Sequence, residues 1–328
     1  MDVTIYEVAR RAGVSIATVS RTLRGTGPVA SKTREKVLKA VAELDFTPSR
    51  LGVSLAEGRH AANGIVFPDL AGPYYAEVLL GYEEVASELG RSVVILSTKD
   101  RDNVRDLIRD LAGRVDGLLV FGQTAPDDLV AELVRMSVPL VFVARAPLPG
   151  ADSLRTENIG PARLLAGHLR EHGYRSYAFL GAPFADGDDI SERWAGVREV
   201  LGEAVEPVLT ARYTVESGYE AALRLLGSDS RPEAVICSDD EVALGAILAA
   251  EELGLAVPDQ VAITGWDDIM AARHARPALT TIRQPMRELG AGAARALDEL
   301  IAGQRDEPRH LTLPAELVIR HSCGRHPR

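Results

Sequence analysis

Arg21 has the most specific chemistry that a short surface helix can offer. A guanidinium can bond O6 and N7 of one guanine together, the commonest base-specific contact in the DNA major groove. Ile16 and Ala17 lie one turn earlier, and small apolar side chains suit thymine methyl groups. Thr4, Ser15, Thr18 and Ser20 carry hydroxyls of the kind that meet phosphate oxygens, contacts that fix register without reading sequence. This chemistry requires Ile16, Ala17, Ser20 and Arg21 to share the outward face of one helix, held against a partner at a fixed angle.

The surrounding sequence supplies that support. Thr4-Ile5-Tyr6-Glu7 has the spacing of a capping box, in which hydroxyl and carboxylate cover each other's orphan amides. Val8, Ala9 and Ala12 give the first helix an apolar side, and Gly13 can take the left-handed conformation that ends it. Ser15 caps a second helix running to about Leu23, with Val19 and Leu23 facing inward. Two short helices joined by a tight glycine turn are how a protein presents a helix to the major groove. A third helix opens at Ser31, with Val37, Val41 and Leu44 at helical spacing. After Phe46-Thr47-Pro48, the segment 49–58 can form a fourth helix. Gly52 costs it about 1 kcal/mol relative to alanine, and so short a helix does not form alone.

Charge divides the chain in the same way. Across 328 residues the net charge is −10, yet the first sixty carry ten Lys/Arg and six Asp/Glu, or +4, leaving −14 for the rest. Three of the four lysines lie in the third helix. A basic end on an acidic body indicates a polyanion-binding module joined to something that does not bind DNA, with affinity that falls steeply with salt. No run of 18 apolar residues suggests a membrane span, and the N-terminus does not read as a signal peptide, so a cytoplasmic protein is expected. Cys237 and Cys323 lie far apart without metal spacing, which implies neither a disulfide framework nor a zinc site.

From residue 62 the pattern alternates between apolar strands and amphipathic helices. Strand-like runs fall at 64–68, 92–96, 117–121, 140–143, 177–180, 235–237 and 261–264. Helical stretches include 75–89, 103–112, 161–172, 191–201, 216–226 and 241–253. Such alternation argues for parallel sheets covered by helices on both faces. Seven units exceed one comfortable sheet, and Gly160-Pro161 offers a break between two subdomains. Ligands of open parallel sheets bind beyond the carboxyl ends of the strands. A shared cleft would therefore use loops near 68–75, 121–124, 143–145, 181–193, 237–240 and 265–268.

Three stretches, TIYEVARRAGVSIATVSRTLRG, SKTREKVLKAVAEL and FTPSRLGVSLAEGR, together resemble the headpiece and hinge of the LacI/GalR family of bacterial transcription regulators. The similarity continues to about residue 320. It implies an all-α helix-turn-helix headpiece at 1–46 and a hinge helix with linker at 47–60. An α/β periplasmic-binding-protein-like body at 61–328 follows, made of two doubly wound parallel-sheet subdomains. Its N-subdomain would span about 61–158 plus 283–320, completed by the helix 286–302 and the segment 309–319; its C-subdomain would span about 159–282. The resemblance also implies a homodimer on double-stranded operator DNA, with Leu55 as the hinge leucine that enters the minor groove. Gly52-Val53 replaces the usual Ala-Arg, which removes an arginine from that groove.

Carried over residue by residue, the resemblance implies a small sugar-like effector held by Tyr74, Tyr75, Gln123, Arg145, Arg193, Tyr213, Asp239 and Asp267. Val143-Ala144-Arg145 stands where relatives often read V-D-R, so one frequent partner of sugar hydroxyls is missing. Asp239 and Asp267 also stand where a carboxylate could simply cap the helix after a strand. No cofactor and no metal is implied.

Other classes fit less well. No G-x-S-x-G elbow, Walker loop, H-E-x-x-H helix or strand-to-helix G-x-G-x-x-G occurs, which leaves an enzyme without catalytic residues. Gly290-Ala291-Gly292 lies inside a helical stretch. Asp239-Asp240-Glu241 could hold a hard cation, but carboxylates at a helix start are stabilised by the dipole anyway. A free solute-binding protein would have no use for a helix-turn-helix. A regulator whose body only dimerises, or binds a protein partner, stays open.

Overall fold

The computed structural model describes residues 3–47, 60–181, 188–210, 212–305 and 307–324. Its contacts divide the chain into two units, Met1–His60 and Ala61–Arg328.

In the first unit, helices α1 (Ile5–Ala12), α2 (Ile16–Arg24) and α3 (Ser31–Glu43) enclose Val8, Ala9, Val19, Val37, Ala40 and Phe46. Glu7 accepts the Thr4 amide at 2.8 Å and the Thr4 hydroxyl at 3.1 Å, which holds its carboxyl below the usual range. Gly13 ends α1 at φ 67°, a conformation that costs other residues a Cβ clash. The Thr18 amide donates to Ser15 Oγ at 3.2 Å at the start of α2. Ser31 is the first helical residue of α3 and Ala30 its cap, so that helix opens without a side-chain cap bond.

The second unit holds two six-stranded sheets. The first contains β1 (Ala62–Phe67), β2 (Ser92–Ser97), β3 (Gly117–Phe121), β4 (Leu140–Val143), β5 (Asp152–Thr156) and β11 (His310–Leu313), in the order β11-β5-β4-β3-β1-β2. The second contains β6 (Tyr177–Leu180), β7 (Val205–Val208), β8 (Ala234–Cys237), β9 (Ala262–Asp267), β10 (Thr280–Arg283) and β12 (Glu316–Val318), in the order β12-β10-β9-β8-β6-β7. Pairing is parallel throughout except for β12 against β10.

Helices cover both faces of each sheet. On the first lobe, α4 (Pro73–Glu88) and α12 (Met286–Ile301) bury one face, and α5 (Val104–Ala112) and α6 (Asp127–Arg135) the other. On the second, α7 (Ile159–Glu171) and α8 (Asp189–Leu201) oppose α9 (Val215–Leu226) and α10 (Asp240–Glu252), with the short α11 (Met270–His274) before β10.

The first crossing lies next to the break proposed from sequence, and the last strand of the second sheet departs from that reading. Gly160-Pro161 lies within the first turn of α7, where proline is tolerated because its missing N–H would be unpaired anyway. The chain changes lobes just before it, after Thr156. The segment 309–319 is split: β11 joins the first sheet, but β12 returns to the second and pairs with β10. A third crossing thus follows Leu313.

Candidate ligand cleft and nucleic-acid interface

Between the two sheets lies a cavity of about 460 Å³, large enough for a small metabolite. Its first-lobe wall comes from the end of β3, the first turn of α4 and the loops after β1, β3 and β4: Pro68, Gly72, Tyr74, Tyr75, Phe121, Gln123 and Ala144. Its second-lobe wall is formed by Asp188, Asp189, Arg193, Tyr213, Asp239, Glu241 and Asp267, with Gln284 at the crossing between β10 and α12.

The first wall is aromatic. Phe67 stacks on Phe121 at 4.5 Å between centroids, and Tyr75 meets both edge-on at 5.6 Å. Burial pushes the phenols of Tyr74 and Tyr75 up, so they remain neutral. This wall presents ring faces for the C–H surface of a ligand and phenol groups for its polar edge.

The second wall is charged. Arg193 is buried, with its guanidinium 4.6 Å from the Trp266 ring centre. Its Nε donates to Asn158 Oδ1 at 3.1 Å and its Nη1 to the Ser238 carbonyl at 2.7 Å. Those bonds fix the fork before any ligand arrives, which limits the ordering cost of binding. Asp239 caps α10 through the Val242 amide at 2.9 Å and also lines the cavity, so the capping role and the lining position coincide. Burial raises its carboxyl, with the Val242, Ser238 and Arg193 interactions opposing.

Asp267 caps no helix. It ends β9 at φ 115°, followed by Asp268 at φ 60°, two unusual backbone states that aim neighbouring carboxylates at different partners. Asp268 meets Arg273, Arg283 and Arg320. Asp267 turns to the cavity and accepts from Gln284 Nε2 at 2.5 Å. Burial pushes Asp267 up to about 7, against the pull of Arg193. Burial, with Asp239 nearby, likewise takes Glu241 to about 7. Among the described residues Gln284, which lines the cavity, has its Oε1 buried without a hydrogen-bond partner.

Seven of the eight effector residues expected from sequence line this cavity; Arg145 does not. Ala144 adopts φ 57°, which leaves Ala144 on the wall. The Arg145 guanidinium instead donates to the Ala125 carbonyl at 2.6 Å, pairs with Asp127 and lies over Phe142. It ties down the loop 122–127 behind Gln123. Gln284 escaped the sequence reading, while Asp188 and Asp189 lay in a loop placed at the cleft, 181–193, without being named as effector residues, and Glu241 was considered only for a cation. Asp188 had a legible signal, since it caps α8 through the Ser191 amide at 2.6 Å.

In the first unit Ile16, Ala17 and Arg21 are exposed on α2, while Thr18 and Ser20 are half-buried. Arg21 Nε donates to the Ala17 carbonyl at 3.2 Å, anchoring the side chain along its own helix. Thr4 and Ser15 take part in helix caps. Leu55 and the rest of the expected hinge, 48–59, lie outside the described residues. No helix among the described residues is long and apolar enough to cross a membrane.

Comparison with known proteins covers both units. Residues 4–49 match the family model for bacterial regulatory proteins of the lacI family, and residues 166–323 match a periplasmic binding protein-like domain. The chain is 34% identical to the HTH-type transcriptional regulator DegA of Bacillus subtilis, covering 99% of each. Among solved structures it superposes on a lac repressor dimer bound to operator and the anti-inducer ONPF. The TM-score there is 0.84 at 29% identity, over 99% of this chain and 100% of that one. A complex of the transcriptional regulator CelR with cellobiose gives a TM-score of 0.72 at 31% identity, over 98% and 99%. These regulators are not enzymes, and the chain belongs to the lacI family of DNA-binding transcriptional regulators.

Proposed function

We propose that this protein is a cytoplasmic repressor that binds a pseudo-palindromic operator as a homodimer and is released or tightened by a small polyhydroxylated, sugar-like effector. The observation that carries the effector reading is the cleft itself: an aromatic wall facing carboxylates, a pre-positioned guanidinium and the unpartnered Gln284 Oε1. Such a set matches a molecule with an apolar ring face and many hydroxyls. The bound cellobiose of the CelR relative and the operator of the lac repressor relative support the two halves of the proposal. A ligand that favours one lobe arrangement shifts operator affinity, and a coupling of about 1–3 kcal/mol is enough.

The direct test is thermal unfolding against sugars, polyols and nucleosides, since a cleft ligand stabilises the native state. A shift of several degrees with sugars or polyols supports the effector class. A shift confined to nucleosides overturns it, and no shift at all favours a body that only dimerises.

With pKa about 7, Asp267 becomes the stronger, charge-assisted acceptor of a ligand hydroxyl once deprotonated. Affinity for the identified effector should therefore rise about tenfold from pH 6 to pH 8 and level off above, with Asp267→Asn flattening the profile. A profile already flat in the unaltered protein removes Asp267 as an acceptor.

On DNA, Arg21→Ala should cost about 2 kcal/mol per half-site, roughly 30-fold, on operator and little on random sequence. Leu55→Ala should weaken operator binding and reduce bending, because the wedge unstacks a central base step. Equal losses on operator and random DNA would exclude base reading by Arg21. Undiminished bending in a gel-shift series would exclude the wedge.

A further inference from the structure

Cysteine spacing in the sequence points away from a metal, but the fold adds two histidines that spacing cannot reveal. His168 and His172 stand four residues apart at the C-terminal end of α7, on one face of the helix. Cys323, from the segment after β12, is buried beside them. One ligand atom from each of the three lies within 4.8 Å of the others. We infer that His168, His172 and Cys323 form a binding site for a zinc-class divalent ion, separate from the effector cleft.

One edge of the cluster already has the spacing of a bound ion. Zinc bonds of about 2.0–2.1 Å to nitrogen and 2.3 Å to sulfur, at tetrahedral angles, put nitrogen and sulfur about 3.5 Å apart. His168 Nε2 and Cys323 Sγ are 3.4 Å apart. The His172 ring lies nearly perpendicular to that of His168, with centroids 4.8 Å apart, so a modest side-chain rotation brings its nitrogen into the third position. Water completes four-coordination. Two imidazoles and a thiolate select zinc or cobalt over magnesium or calcium, which prefer oxygen ligands.

The sulfur is held in place before metal arrives. Ser322 bonds the strands on either side: its hydroxyl donates to the Ile263 carbonyl at 2.5 Å and accepts the Thr280 amide at 2.9 Å. The Tyr174 hydroxyl donates to the Cys323 carbonyl at 3.1 Å. Thr280 Oγ1 accepts the Arg320 amide at 2.8 Å and lies 3.0 Å from Cys323 Sγ, so its hydroxyl can donate to a thiolate. Hydrogen bonds of this kind orient metal ligands. Gly324, at φ 133°, lets the chain pass the His172 ring; a Cβ there would come within 2.7 Å of His172 Nδ1. On binding, the thiol proton leaves to solvent and the ion clamps the segment after β12 to the end of α7.

The test is titration of reduced, untagged full-length protein with Co(II). One equivalent should produce a thiolate-to-cobalt charge-transfer band together with tetrahedral d–d bands, and Zn(II) should bleach both and raise the Tm. Cys323→Ser should lose the charge-transfer band, and Cys237→Ser should keep it. His168→Gln and His172→Gln should each weaken binding about tenfold or more. Both rings are only partly buried, so these two variants decide the matter if Cys323→Ser fails to fold. Absence of the band at tenfold excess Co(II), a band that survives in Cys323→Ser, or undiminished affinity in both histidine variants would overturn the site.

Discussion

Replacing Arg193 by alanine abolishes the response to the cleft ligand while leaving operator affinity of the ligand-free protein within about twofold. The guanidinium is buried and already engaged on one side by Asn158 and Ser238, so what it offers a ligand is a fixed, desolvated donor. Hydrogen bonds to a charged group contribute about 3 kcal/mol at the upper end, which is about 100-fold in effector affinity. A second loss follows from charge. Arg193 holds down the carboxyls of Asp189, Asp239 and Asp267, and without it all three move further up. Asp267, already near 7, becomes mostly neutral at pH 7 and loses the charge-assisted strength with which it accepts from ligand hydroxyls. Arg193→Lys should recover part of the stability but not the response, because an ammonium cannot bond Asn158 and Ser238 as a fork. Melting curves with and without effector, paired with operator titrations, separate these effects. A retained ligand shift in Arg193→Ala would take the residue out of the recognition set.

What could be read from sequence follows from where the signals are local. The three helices of the first unit were legible almost residue by residue, since caps, a glycine turn and helical spacing are all short-range. The lobes were legible as strand-helix alternation, but β5, β7 and β10 were not, and β11 and β12 appeared only as one segment, 309–319. In β5 (DSLRT) Leu154 is the one apolar residue and the other buried residues are polar: Asp152 pairs with Arg305 and Ser153 meets His310 at 3.0 Å, so no apolar run marks the strand. The edge strand β7 (VEPV) is largely exposed and contains a proline, which sequence rules assign to loops. In β10 (TTIR) only Ile282 is apolar, and the buried threonines look like turn residues. The cleft divides in the same way. Residues next to strand ends could be placed by topology, whereas Gln284 and Glu241 reach it through a crossing and a helix start. Arg145 failed because the backbone reversal at Ala144 is a φ value, which no residue type announced.

Gly290→Ala should destabilise the body by about 3 kcal/mol and lower its Tm by about 9 °C, although alanine is the better helix former by about 1 kcal/mol. The reason is a backbone crossing. A Cβ on Gly290 of α12 would lie 1.9 Å from the Val78 carbonyl oxygen of α4, and one on Gly81 of α4 would lie 2.1 Å from the Arg287 carbonyl oxygen. Neither carbonyl can rotate away, so the two helices must separate, and they form one cover of the first sheet. Gly292, two residues on, is the control. There a Cβ meets only Leu154 Cδ2 at 2.8 Å, a methyl that can turn, so Gly292→Ala should stay within about 1 kcal/mol of the original. The second lobe repeats the device: a Cβ on Gly245 of α10 would fall 2.1 Å from the Val215 carbonyl oxygen, and one on Gly218 of α9 would fall 2.5 Å from that of Val242. Glycine-locked pairs on both lobes have a functional consequence. If effector binding is to change the angle between lobes, each lobe must move as a unit and bend only at the three crossings. Gly290→Ala should therefore lose effector coupling in proportion to the loss of fold, measured as operator affinity against Tm. A variant that melts as the original but no longer couples would place the signal within the first lobe instead of at the crossings.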